Sequence, residues 1–267
     1  MNLVKAHAFG NDFLLLDERE LPDRRDDSAI ARAVCDRHRG IGADGLLMFT
    51  VDPADPGRGA MRLRNADGSP SEISGNGLRC LAAWIAHASG RTDIVVETEA
   101  GRKRLRLLAR EGGRYTFRAA MGHPVEIAME QIIVFGQPVE AVTLRVGNPQ
   151  CVVLGDVTQA RLHSLAGALA VHPRFPEGTN VELAMVERPD LVRVLIWERG
   201  VGPTEASGTG ACAAAVAAAQ YGGASRDVQV ESPGGTQRVE WTGDGLFLTG
   251  WAEIVATARW LGGGASR

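Results

Sequence analysis

Two short cassettes carry residue types on which chemistry can be built: Ser74-Gly75-Asn76-Gly77 and Ser207-Gly208-Thr209-Gly210. Each runs into an apolar, small-residue segment that reads as a helix, residues 78–86 in the first and 211–219 in the second. A glycine-rich turn feeding a helix leaves backbone N–H groups without intrahelical acceptors and aims a positive partial charge at the turn. Such a turn is an anion site. Two of them, one in each half, suit a single small anion gripped from both sides with a serine on each face.

A second pair of segments repeats at nearly the same offset, about half the chain. Gly10-Asn11 opens an apolar run suited to a buried strand, and Gly147-Asn148 opens another. In each half the Gly-Asn strand comes first and the Ser-Gly-x-Gly helix later. Small-residue turns recur by chance in a chain with 33 glycines. Two pairs in the same order favour duplication of one α/β unit.

The elements that must hold these cassettes are short. In the first half, strands are expected at 3–8, 13–17, 46–51, 61–64, 93–99, 102–109 and 114–120. A helix over 28–38 is capped by Asp27 or Ser28. The stretch 121–124 suits a crossing between halves. Strands follow at 139–146, 150–154, 181–186 and 191–197, with helices at 158–170 and about 208–220. Strands at 227–232, 236–242, 245–250 and 252–261 complete the chain, the last returning to the first half. The expectation is an α/β (α+β) fold of two pseudo-symmetric domains facing each other across a cleft. Each is a curved, mostly antiparallel sheet around a central helix. The halves are residues 1–120, with 258–267 returning to them, and 121–257.

Bulk properties narrow the function. The chain has 267 residues, 45% hydrophobic and 23% charged, as in a globular protein that dissolves in water. A net charge of −3 argues against a nucleic-acid partner. No apolar run approaches a membrane span, and the first residues do not read as a signal peptide. The four cysteines show no CxxC spacing, so reduced thiols and a cytoplasmic location are expected. The six histidines show no metal-ligand spacing, and no metal is expected. His7 and His38 read as structural residues. A homodimer is left open.

Several longer motifs then carry a resemblance. They are Gly10-Asn11-Asp12-Phe13, Asp36-Arg37-His38, Gly40-Ile41-Gly42-Ala43-Asp44-Gly45, Asn65-Ala66-Asp67-Gly68-Ser69 and Glu72-Ile73-Ser74-Gly75-Asn76-Gly77-Leu78-Arg79-Cys80 in the first half. The second half has Gly147-Asn148-Pro149, Thr179-Asn180-Val181, Glu198-Arg199-Gly200-Val201-Gly202 and Ala206-Ser207-Gly208-Thr209-Gly210-Ala211. In this order, over nearly the whole chain, they resemble the diaminopimelate epimerase family. The resemblance implies inversion of an amino-acid α-carbon without a cofactor, LL-diaminopimelate going to the meso form in lysine and peptidoglycan precursor synthesis. One base removes the α-proton and an acid on the opposite face returns one. It also implies roles. Asn11, Asn65, Asn148 and Asn180 would hydrogen-bond the substrate's polar ends. Arg199 would pair with a distal carboxylate and Glu198 would accept from the amino group. The N–H groups of Gly75, Asn76, Gly208 and Thr209 would hold the α-carboxylate. Asn65, beside Asp67-Gly68, reads equally well as a turn former.

The chain departs from the family where proton transfer occurs. Ser74 and Ser207 stand where the family has cysteine, and Gln150 where its Gly-Asn-Pro motif is followed by histidine. A thiol titrates near ~8.5 and lower at a helix start, whereas a hydroxyl is rarely ionised without an adjacent base. Glu198 and Asp44 are the candidate helpers. Cys80 and Cys212 lie too far along their helices to replace the missing thiols and read as small buried residues. Three readings stay open. The chain is an epimerase whose serines work with help; or a relative doing a one-base dehydration or isomerisation of a small amino or hydroxy acid; or a catalytically silent binding protein.

Overall fold

The computed structural model describes residues 1–21, 26–71, 74–99 and 101–262. Glu72 and Ile73 of the first cassette motif, and the last five residues of the returning segment, lie outside the described residues. The chain divides into two units, Met1–Ala119 with Trp251–Arg267, and Ala120–Gly250.

The first unit holds β1 (Asn2–Ala8), β2 (Asn11–Asp17), α1 (Asp27–Cys35), β3 (Gly45–Val51), β4 (Arg58–Asn65), β5 (Pro70–Ser71), α2 (Gly75–Ser89), β6 (Asp93–Glu97), β7 (Lys103–Glu111) and most of β8 (Arg114–Gly122). The second holds β9 (Val125–Val134), β10 (Gln137–Val146), β11 (Asn148–Leu154), α3 (Gln159–Arg161), a π-turn at Leu162–Ala166, α4 (Gly167–Ala170), β12 (Asn180–Arg188), β13 (Leu191–Glu198), β14 (Gly202–Thr204), α5 (Gly208–Tyr221), β15 (Asp227–Ser232) and β16 (Gly235–Thr242). The long β17 (Gly245–Arg259) begins in the second unit and ends in the first.

Duplication is written in the strand pairing. In the first unit β1 runs antiparallel to β2, β2 parallel to β3, β3 antiparallel to β4, β4 parallel to β6, and β6 antiparallel to β7. In the second, β10, β11, β12, β13, β15 and β16 repeat that succession of directions step for step. The outer neighbours correspond as well. The end of β17 lies antiparallel on β1, and β9 lies antiparallel on β10.

Each sheet packs on one buried helix. Strands β1, β2, β3, β6 and β7 contact α2, while β10 to β13, β15 and β16 contact α5. A helix that is apolar on every side is stable only when enclosed. From Ala211 to Ala218 every residue of α5 is buried. Alanine keeps helix propensity high and the cylinder narrow, so Val152, Val194, Val230 and Leu248 can close around it. A separate apolar layer, with Cys151, Val153, Leu183 and Leu195, lies on the other face of the sheet under the π-turn and α4.

Four local features differ from the sequence reading. The cap of α1 is Asp26, whose Oδ1 accepts from Ser28 and Ala29 N–H, and the helix stops at Cys35. Residues 158–170 are helical but interrupted by the π-turn, after which Gly167 at the start of α4 lets the backbone approach Trp197. The strands expected at 245–250 and 252–261 are one continuous β17, because Gly250 stays extended. Strand β9 was not anticipated. Its burial pattern leaves only Ile132 and Val134 inside, too weak an alternation to read.

Candidate active site

Both cassette serines are helix N-caps. Ser74 has φ −103° and ψ 119°, and its Oγ accepts from Gly77 N–H at 3.1 Å. Ser207 has φ −134° and ψ 134°, and its Oγ accepts from Gly210 N–H at 3.3 Å. The Ser207 Oγ also lies 3.5 Å from Thr209 Oγ1. An N-cap oxygen that accepts from the first turn keeps its own O–H free to donate elsewhere. Ser207 is only 5% exposed.

In the first unit the side chains near Ser74 form a chain of hydrogen bonds. Asn76 Nδ2 donates to Asn11 Oδ1 (3.2 Å), and Asn11 Nδ2 donates to Asp44 Oδ2 (2.8 Å). The Asn76 Oδ1 accepts from the fully buried Arg79, which also stacks on Phe9. Asp44 is held further by Asp12 N–H (3.1 Å) and by Arg37 Nη2 (2.7 Å). Arg37 Nη2 reaches Asp12 Oδ1 at 2.8 Å as well, and Lys5 bonds Asp12 and the Gly42 carbonyl. Burial works to raise the Asp12 carboxyl, but the hydrogen bonds from Arg37 and Lys5 outweigh it and hold the group at about 2. The Asp44 carboxylate is therefore engaged in orienting Asn11.

The loop bearing Asp44 folds back on the end of α1. Ile41 and Gly42 N–H both donate to Val34 O, and Ala43 N–H donates to Cys35 O, so the open carbonyls of the helix end are satisfied. Only glycine fits at position 40. A Cβ there would lie 2.4 Å from Ala33 O, 2.6 Å from Val34 O and 2.8 Å from Asp36 O. Gly40→Ala is expected to destabilise the fold by about 3 kcal/mol, the upper range for overpacking against backbone. A urea-denaturation midpoint unchanged from the parent would contradict that reading of the loop.

Asn65 sits in its own turn, where its Nδ2 donates to Ser69 Oγ (2.9 Å). The turn abuts the Asp44 loop, since Ala66 N–H donates to Asp44 O (3.0 Å).

In the second unit four polar residues share the sheet end at the start of α5. Register places Gln150 beside Asn180, and Glu182 beside Ile196 two residues from Glu198. Gln150 Nε2 donates to Asn148 Oδ1 (2.6 Å), and Arg199 N–H donates to Asn180 Oδ1 (2.9 Å). The Arg199 guanidinium reaches Glu177 O (2.8 Å). Burial pushes the Glu198 carboxyl above the usual carboxylate range, and a hydrogen bond from Ser207 pulls it part of the way back. Ser207 thus has an adjacent base.

Two buried charged residues escaped the sequence reading, Arg79 at 1% exposure and Glu182 at 0%. Each left a signal, a charged residue inside an otherwise apolar run. In Asn180-Val181-Glu182-Leu183 the period of two sets Glu182 on the face of Asn180. Cys80 and Cys212 are fully buried helix residues, and burial pushes the Cys80 thiol up to about 12.

A sheet unit around one buried helix, built twice, defines the class: a duplicated α/β fold with a serine-capped helix start in each half. A similar fold occurs in a predicted epimerase from Pseudomonas aeruginosa, with a TM-score of 0.73 at 17% identity over 98% of this chain and 99% of that one. The sequence goes further. The family model for diaminopimelate epimerase matches residues 3–126 and 142–255. The diaminopimelate epimerase of Desulforudis audaxviator is 41% identical over 98% of this chain and 99% of its own. That of Heliobacterium modesticaldum is 39% identical over 94% and 96%. The chain belongs to the diaminopimelate epimerase family. Among the described residues no helix is long and apolar enough to cross a membrane.

Proposed function

We propose that this chain is a cofactor-independent isomerase that converts LL-diaminopimelate to the meso form, a step toward lysine and peptidoglycan precursors. The observation that carries the reading is the pair of serine-capped starts of buried helices, one per half, in a chain that aligns end to end with curated epimerases. The α-carboxylate is taken by the N–H groups of Gly75, Asn76, Gly208 and Thr209. Charge building on the carboxylate as the α-proton leaves is stabilised by two helix dipoles in an apolar surround. Asn11, Asn65, Asn148 and Asn180 bond the remaining polar groups, Glu198 the amino group and Arg199 the distal carboxylate. Asp44 acts by fixing Asn11.

Proton transfer runs through the serines. Ser207 takes the α-proton while its own proton passes to Glu198, and the C–H electron pair stays on the substrate. Ser74 returns its hydroxyl proton to the opposite side, and solvent restores that proton as Glu198 gives up the one it accepted. The partners are small amino acids, the enzyme works as a cytoplasmic protein, and a homodimer is its proposed assembly.

One observation favours a second reading. Ser207 has Glu198 as an adjacent base, whereas the partner of Ser74 among the described residues is the Gly77 N–H. That asymmetry suits a one-base dehydration or double-bond shift of a small amino or hydroxy acid.

Solvent-deuterium exchange separates the two. The parent is expected to place deuterium at the α-carbon of LL-diaminopimelate slowly, with meso product following, and Ser207→Ala and Ser74→Ala each to stop inversion. Absence of label at high enzyme concentration sinks the epimerase reading. Water loss from a hydroxy-amino acid that needs Ser207 alone establishes the second.

A further inference from the structure

Glu182 is the buried carboxyl that the reaction above does not use. It stands on β12 between Val152 of β11 and Ile196 of β13 and is 0% exposed. Among the described residues neither of its carboxyl oxygens has a hydrogen-bond partner. Strand alternation puts its side chain on the face of Ala184, which packs under α5. There Oε1 occupies the space that glycine leaves at position 210. A Cβ on Gly210 would come within 2.8 Å of it, in the first turn of α5 and three residues after Ser207. Glu198 is its diagonal neighbour on β13 and accepts from Ser207.

Two carboxyls this close, in a low-dielectric interior, cannot both ionise cheaply. Burial, and then the charge of Glu198, push Glu182 well above the usual carboxylate range. On the other face of the sheet, burial also pushes the Cys151 thiol of β11 upward, so it stays neutral. From α5 come the hydroxyls of Ser207 and Thr209, which carry no charge. Glu198 is more exposed than Glu182 and is stabilised as an anion by the Ser207 hydroxyl, so the negative charge belongs there.

We infer that Glu182 is a positioning residue of the second half: it keeps its proton and so confines the single negative charge of the two carboxyls to Glu198, where Ser207 can use it. Its consequence for turnover rests on the epimerase reading. When Ser207 takes the α-proton, its own proton has one acceptor, Glu198, because Glu182 is already protonated. The transfer neutralises the one buried charge instead of moving it deeper.

Infrared difference spectra of the full chain at neutral pH separate protonated carboxyl from carboxylate. The parent is expected to show a protonated-carboxyl band that persists in Glu198→Gln and disappears in Glu182→Gln. A band lost in Glu198→Gln and kept in Glu182→Gln puts the proton on Glu198 and overturns the inference, as does a parent with no such band. Glu182→Met, apolar and of similar volume, reports the same loss if Glu182→Gln fails to fold. The titration midpoint of Glu198, followed by its carboxylate stretch, is expected to stay in place in Glu182→Gln. A fall of more than about one pH unit would mean that Glu182 carries charge in the parent. In exchange assays Glu182→Ala is expected to lower kcat about tenfold with KM little changed, and Glu182→Gln to recover most of it. Equal losses in both variants overturn the positioning role. The infrared assignment does not depend on the substrate, so expected bands without any exchange would sink the epimerase reading alone.

Discussion

Replacing Ser74 and Ser207 together by cysteine is expected to raise solvent-deuterium exchange at the α-carbon of LL-diaminopimelate by about 100-fold or more, the scale of a competent acid–base group. Both side chains already occupy the N-cap of a buried helix, with Gly77 N–H at 3.1 Å from one oxygen and Gly210 N–H at 3.3 Å from the other. A thiol there is acidified by the positive end of the helix dipole, to values of about 3.5–7.5 at helix starts. It then ionises near neutral pH, where a hydroxyl does not. The single variants are expected to fall well short of the double one. Inversion needs one group to take the proton and another to give it, and residues acting as a unit are not additive. The order of the singles is informative. Ser74→Cys should gain more, because Ser207 already has Glu198 as its base. Loss of the α-proton signal in deuterated water, with chiral separation of the product, measures both quantities. A double variant no faster than the parent would mean that the pocket turns over a different substrate.

The sequence disclosed the repeat because it is written in residues with few alternatives. Glycine at 77 and 210 and the serines before them are visible as letters, and so are the Gly-Asn turns at 10 and 147. The pairing that the repeat generates is not visible, since parallel and antiparallel steps depend on which strands meet. Strand β9 stayed hidden because its alternation is shallow, with Val125, Met129 and Ile133 exposed. The site divided in the same way. Asn11, Asn76 and Asp44 belong to three separate motifs, and the structure joins them by direct hydrogen bonds. Asp44 was not legible as a bound carboxylate, because only three dimensions bring Arg37 onto it. Glu182 was passed over because a charged residue on a strand reads as solvated until α5 is laid over it.

Asp12→Asn is expected to lower unfolding free energy at neutral pH by about 2–4 kcal/mol, the range for leaving a partly buried cation without its carboxylate. The side chains of Asp12 and Lys5 are only 14% and 19% exposed, so water compensates the loss poorly. Arg37, at 55%, adds less. The pH dependence has a definite sign. Asp12 titrates at about 2 in the folded chain and at about the ordinary 3.8 when unfolded. Between those values the unfolded state binds more protons, so the stabilisation is complete above about 3.8 and disappears as pH falls through 2. The gap between parent and Asp12→Asn should therefore close on acidification through this window and stay constant above it. Chemical-denaturation curves at a series of pH values test this, and a gap that widens on acidification would refute the assignment. Adding Lys5→Met to Asp12→Asn is expected to recover part of the loss, since removing both members of a buried pair costs less than stranding one. Activity should follow a different course. Asp12 Oδ1 accepts from Asp44 N–H and from Arg37, and Asp44 holds Asn11, so the double variant is expected to regain stability while KM for the amino acid rises.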